Sequence, residues 1–186
     1  QDYVGGWGMN IGDEASGYDI GVKAIRAAIY GLDGRGISTS LTALLMEEWK
    51  LSKLWDCIER IRSSPDPRRL IASVTKIVSH AADGGDETAI RLYREAGLEM
   101  AYMAKILLSR RDGIWIGPIV ASGGVWKGSR LMFDTFTASI HETYPAAEVT
   151  LPVFDPVIGG VVLQAFANGM KKEDFWENLK PLFRDY

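Results

Sequence analysis

Gly5-Gly6-Trp7-Gly8-Met9-Asn10-Ile11-Gly12-Asp13-Glu14-Ala15-Ser16-Gly17 decides how this chain is read. The stretch is glycine-rich without being low-complexity. Glycine adopts positive φ and lets backbone approach a ligand closely. The indole of Trp7 offers a flat apolar face, and the carboxylate of Asp13 accepts hydrogen bonds from hydroxyls. Such a loop suits one wall of a polyol or sugar pocket. It runs straight into a helical pattern, with Tyr18, Val22, Ile25, Ile29 and Leu32 recurring at steps of four and three. Asp33-Gly34 is a natural stop, because glycine fits the left-handed position after a helix.

Outward from this helix the pattern stays mostly helical. Two shorter helices are expected over 41–49 and 51–61, before the break Ser63-Ser64-Pro65-Asp66-Pro67. Leu70, Val74, Ile77 and Ala81 mark the next helix. Asp83-Gly84-Gly85-Asp86 ends it, and Asp86 can cap the one that follows. Tyr93, Ala96, Met100, Ala104 and Leu107 define a long helix. The texture then changes. Residues 114–121 form a short, branched apolar run expected to be a buried strand. Gly123-Gly124 turns into a helix carried by Met132, Phe136 and Ile140. A second strand is expected over 147–151. Asp155 with Pro156 reads as a helix start whose Gly159 and Gly160 permit close packing, and 171–182 as a last, polar helix.

Composition narrows the function classes. The 186 residues suit one domain of ordinary size, and 47% hydrophobic with 24% charged residues is a globular composition. The net charge of −3 gives no broad attraction to nucleic acid or an anionic membrane, and no apolar run reaches the ~20 residues of a membrane span. The single Cys57 excludes an intrachain disulfide and multi-cysteine clusters within one copy; it reads as a buried structural thiol in a reducing, cytoplasmic setting. His80 and His141 lie on different helices without acidic or thiol partners at ligand spacing, so no metal site is expected from them. The chain opens on Gln1, almost directly on a functional-looking loop, as expected of part of a longer protein.

The motifs also carry a resemblance. Gly5-Gly6-Trp7-Gly8 followed by Gly12-Asp13-Glu14-Ala15-Ser16 is similar to the start of the second half of the BadF/BadG/BcrA/BcrD ATPase family, which includes N-acetylglucosamine kinases and related sugar kinases. Gly84-Gly85-Asp86, then Ala121-Ser122-Gly123-Gly124-Val125-Trp126-Lys127-Gly128-Ser129, then Asp155-Pro156-Val157-Ile158-Gly159-Gly160 fall in that family's order. The resemblance implies an α/β fold: the helix-rich C-terminal half of an actin/hexokinase-like (ribonuclease H-like) ATPase. The three-stranded meander that precedes the first long helix in that fold would lie upstream of Gly5, with Asp2-Tyr3-Val4 at most its stub. Residues 1–186 would then be one domain, the C-terminal lobe of a two-lobe sugar kinase whose N-terminal lobe and N-terminal strands are absent from this chain. The lack of an Asp-Gly-Gly-x-Thr phosphate loop agrees.

The resemblance further implies that Gly6, Trp7, Gly8 and Asp13 contact the sugar. It implies that Gly123 and Gly124, with Ser122, belong to an adenosine-binding turn, and that Ala72 lies near the nucleotide. ATP and Mg²⁺ are the expected cofactors, and the sugar and the absent lobe the expected partners. A homodimer through this half is permitted, and neither nucleic acid nor membrane is expected. The general base would be an aspartate of the absent lobe, so this chain alone would be inactive. Plainer readings stand beside these. Asp13 could simply cap the first helix with Trp7 as core, and Gly123-Gly124 could be a tight strand–helix turn. Glu14 reads as a first-turn acid favoured by the helix dipole. Lys127 reads as a solvated lysine, although it could approach phosphate oxygens. Two other functions compete. One is the ATPase activator of a dehydratase or reductase, which the resemblance would equip with two cluster-binding cysteines per subunit against the one here. The other is a non-catalytic sugar- or nucleotide-binding module.

Overall fold

The structure, a computed structural model, describes residues 2–110, 117–153 and 157–171. The described elements run α1 (Gly17–Asp33), α2 (Leu41–Glu48), a 3₁₀ turn at Leu54–Asp56, α3 (Cys57–Arg62), α4 (Pro67–Ser73), α5 (Thr75–Asp83), α6 (Glu87–Ser109), β1 (Ile119–Val120), α7 (Gly124–Gly128), α8 (Arg130–Thr143), β2 (Val149–Thr150) and α9 (Val157–Ala167). The architecture is a helix-rich α/β fold. β1 and β2 pair in parallel, with Ile119 opposite Val149 and Val120 opposite Thr150.

Helix α1 ends where glycine permits. Gly34 sits at φ 74°, and its N–H returns to the carbonyl of Tyr30. Its buried face differs from the apolar pattern of the sequence. Ile20, Gly21, Ala24, Ile25 and Ala28 face inward, while Leu32 is exposed and Tyr18, Val22 and Ile29 are half-buried. Small residues form the seam because α4 crosses very close. A Cβ added at Gly21 would stand 2.1 Å from the Ile71 carbonyl oxygen. Helices that approach this closely need a glycine at the crossing.

Several expected helices are divided. The region 51–61 becomes helical only at Leu54, where the Asp56 carboxylate accepts from the Lys53 N–H. The helix expected after residue 67 is split at Val74 into α4 and α5. Asp66 caps α4 through the Arg69 N–H, with Pro67 in the first turn. Asp86 caps α6 as expected, accepting from the Ala89 N–H at 2.9 Å. Its other oxygen accepts from the Thr39 hydroxyl and from the N–H and hydroxyl of Ser40. Burial alone would raise this carboxyl, but the Ala89 and Ser40 N–H groups and the two hydroxyls hold it below the usual carboxylate range.

The expected buried strand is corrected within the described residues. β1 covers only Ile119 and Val120 and pairs with the equally short β2, and Val120 is exposed because no described helix packs over its face. The helix after the diglycine is two helices, broken at Ser129, whose hydroxyl accepts from the Met132 N–H and caps α8. α8 lies tightly on α6: a Cβ at Gly97 would be 2.7 Å from the Met132 carbonyl oxygen and 3.0 Å from Thr135 Cβ. Asp155 and Pro156 lie outside the described residues, as does the helix expected over 171–182 beyond Lys171. Gly159 and Gly160 are exposed in α9, and no described atom comes within 4 Å of a Cβ placed on either, so the close packing expected of them is not made there.

The core joins α1, α2, α4, α5, α6 and α8 around Ile20, Leu41, Leu45, Val78, Tyr93, Met132 and Ile140. Cys57 is buried in it. Burial first, then the neighbouring Asp56 charge, pushes its thiol up, as an inert structural cysteine requires. Among the described residues no helix is long and apolar enough to cross a membrane.

Candidate functional site

The opening loop is a turn closed on itself. Gly8 and Gly12 form an antiparallel bridge, and the Gly8 carbonyl accepts from the N–H groups of Ile11 and Gly12. Gly5, Gly6 and Gly8 have φ of 75°, 74° and 96°, where other residues are strained. Gly12 is required for a different reason: a Cβ there would stand 2.9 Å from Trp7 Cβ. The turn holds the indole outward. Trp7 is 67% exposed, with Tyr3 edge-on at 6.5 Å between ring centroids. Gly5 lies against the Met103 sulfur of α6, which ties the loop to the core. Trp7 is therefore not core.

Asp13 is not the helix cap. Ser16 has that role, accepting from the Asp19 N–H. The Ser16 hydroxyl in turn donates to Asp13 Oδ2 at 2.9 Å. Arg68 of α4 reaches the same oxygen, with Nη2 at 3.4 Å. Both contacts use Oδ2, so Oδ1 has no partner among the described residues. The carboxylate is therefore oriented and charge-balanced on one side and free to accept on the other. Glu14 is exposed and precedes the helix; the first-turn acid of α1 is Asp19. Arg68 could not be anticipated, since it comes from 55 positions along the chain. Ser16 was legible, as Ser-x-x-Asp is the pattern of a helix start.

Ala72 lies one turn along α4 from Arg68, and its Cβ is 3.6 Å from where a Cβ at Gly17 would stand. It thus stands beside the first turn of α1, on the Asp13 side of the molecule. Ser122, Gly123 and Gly124 form the corner between β1 and α7, and all three are exposed. Gly123 has φ 127°, and nothing lies within 4 Å of a Cβ at Gly124. That leaves open space against bare main chain, which fits a flat ring and a ribose. Beneath the corner Trp126 is 6% exposed and packs on Phe133 and Phe136.

The two glycine regions are linked through the core by α4, α5 and Tyr93. Thr75 packs beside Gly17, and the Thr75 carbonyl accepts from the Tyr93 hydroxyl at 2.8 Å. That hydroxyl lies 3.7 Å from where a Cβ at Gly128 would stand, and Ser79 donates to the Gly128 carbonyl. Burial drives the Tyr93 hydroxyl up to about 12. Lys127 lines a cleft beside Tyr93 with Asp83 and Arg130. Among the described residues no group of three histidine, cysteine or acidic side chains assembles to hold a metal ion.

The fold has a solved counterpart. A protein described as a candidate N-acetylglucosamine kinase from Chromobacterium violaceum superposes with a TM-score of 0.62 at 24% identity, over 86% of this chain and 50% of that one. This places the chain among helix-rich α/β proteins of that fold. The model of the BadF/BadG/BcrA/BcrD ATPase family matches residues 1–164, and the chain belongs to that family. An N-acetylmuramic acid/N-acetylglucosamine kinase of Clostridium acetobutylicum is 34% identical over 162 residues, covering 86% of this chain and 52% of the relative. An N-acetyl-D-glucosamine kinase of Dictyostelium discoideum is 30% identical over 168 residues, covering 86% and 51%. The chain thus spans about half the length of the curated relatives it matches.

Proposed function

We propose that this chain is the C-terminal part of an ATP-dependent sugar kinase, a cytoplasmic enzyme that phosphorylates a hydroxyl of a hexose or N-acetylhexosamine. The observation that carries the reading is the pairing of an exposed indole with a half-buried carboxylate on one closed turn. Trp7 would lie along the apolar face of a pyranose, and Asp13 Oδ1 would accept from its hydroxyls. Ser16 and Arg68 keep Oδ2 engaged, so the carboxylate meets the sugar already oriented. The exposed main chain at Ser122, Gly123 and Gly124 would hold the adenosine end of ATP. Ala72 belongs with the first turn of α1 by position, which favours a supporting role beside the sugar turn over nucleotide contact. ATP supplies the phosphoryl group, with Mg²⁺ bridging its phosphates. The general base and the phosphate loop would stand on an N-terminal lobe outside this chain, together with the remaining strands of the sheet. The relatives' names point to an N-acetylated amino sugar as the substrate.

ADP release by the full-length protein, given ATP, Mg²⁺ and a panel containing glucose, glucosamine, N-acetylglucosamine and N-acetylmuramic acid, tests this. Turnover with one of them, reduced about 100-fold or more by Asp13→Ala, is the expected result. Sugar binding without turnover would point instead to a non-catalytic module. Turnover unaffected by Asp13→Ala would remove Asp13 from the site.

A further inference from the structure

A second polar cleft lies away from both glycine turns. It is bounded by one face of α1, the first turn of α6 and the loop after α1, and has a volume of about 170 Å³. Lys23, Arg26 and Arg91 line it, with Tyr30, Gly36 and Thr88, and no carboxylate is part of the lining. Three cations gathered in one cleft stand out in a chain of net charge −3.

The cations are unequally engaged. Lys23 is held by Asp19 at 2.8 Å and by Glu99 at 3.1 Å. Burial works against its charge, but these two carboxylates outweigh that and raise its pKa. Arg91 touches Glu95 only at 3.9 Å. Arg26 has no carboxylate partner among the described residues. Thr88 supplies the second observation. It is 5% exposed, it lines the cleft, and its hydroxyl has no protein partner among the described residues. The hydroxyl is thus free to bond a ligand oxygen entering the cleft. Thr88 also lies in the first turn of the 23-residue α6, whose dipole favours negative charge. The opposite wall is firm: the N–H groups of Arg35 and Gly36 both donate to the Tyr30 carbonyl, and the Arg35 guanidinium stacks 4.3 Å over the Tyr30 ring.

We propose that this cleft binds the phosphate group of a small anionic ligand, with Arg26 and Arg91 as the charged partners and the Thr88 hydroxyl as the neutral one. The cleft is open to solvent and has room for a phosphate group. Free phosphate and the phosphate of a hexose 6-phosphate share this chemistry. The proposal does not depend on the kinase reading.

Calorimetric titration of the full-length protein, with ADP saturating any nucleotide site, tests it using inorganic phosphate and a hexose 6-phosphate separately. Binding of either is expected, weakened about tenfold by Arg26→Ala and by the isosteric Thr88→Val, as for loss of one charge-assisted or buried hydrogen bond. Arg26 is exposed, so its variant should keep the wild-type Tm. Tighter binding of the sugar phosphate identifies a phosphorylated metabolite as the ligand, and equal binding identifies phosphate itself. Absence of heat with both ligands, or binding unchanged in both variants, overturns the proposal.

Discussion

The two glycine turns each carry a tryptophan and use it in opposite ways. At the opening turn Trp7 is exposed, and the glycines shape the backbone beneath it. At the downstream corner Trp126 is buried against Phe133 and Phe136, and the glycines themselves face outward. One turn presents a side chain on a rigid frame. The other presents main chain on a packed foundation. An exposed indole on a firm turn adds little to folding and stays available to a ligand. A buried indole is accounted for by packing alone.

Substitutions can break this contrast. Trp126→Ala should have the largest effect on folding, about 3–5 kcal/mol, since it empties an aromatic cluster; chemical denaturation of the full-length protein would read it. Gly12→Ala should act on the proposed sugar contact instead. The added methyl displaces the indole, and kcat/KM should fall by roughly tenfold to 100-fold, with a much smaller change in the denaturation midpoint. Tyr93→Phe removes the hydroxyl between the two regions and should cost about 1 kcal/mol. It also sharpens the pH response. The folded value of about 12 lies above the ~10 of a free tyrosine. The stability this hydroxyl contributes is therefore complete below pH 10 and lost as pH rises through about 12. Wild type should lose stability across that window and the Phe variant should lose less. Trp7→Ala should have the smallest effect on stability, within about 0.5 kcal/mol, while weakening sugar binding in the same assay. A large loss of stability there would erase the contrast.

The legible parts of the molecule were those governed by local rules. Gly34 ended α1 and Asp86 capped α6 because both act within a few residues. The inward face of α1 was misread for a nonlocal reason. Ile20, Gly21, Ala24 and Ala28 point inward because α4 crosses there, and hydropathy alone favours the larger Val22, Ile29 and Leu32. The split at Val74 carries no Gly or Pro signal in the sequence, and Ser79 of α5 bonds the Gly128 carbonyl at the end of α7, just before the split at Ser129. In the opening turn, the glycine-rich sequence draws attention to Trp7 and Asp13, whereas Arg68 reaches Asp13 only through the α1–α4 crossing.

Gly97 leaves the protein almost no tolerance at one buried point. Its missing side chain is what lets the Met132 carbonyl come so near. Any other residue there would wedge α8 outward, and the displacement would be carried to Ser129 and from it to the diglycine corner. A methyl group buried between two helices would thus disturb the exposed main chain at Gly123 and Gly124 while leaving the Trp7 turn in register.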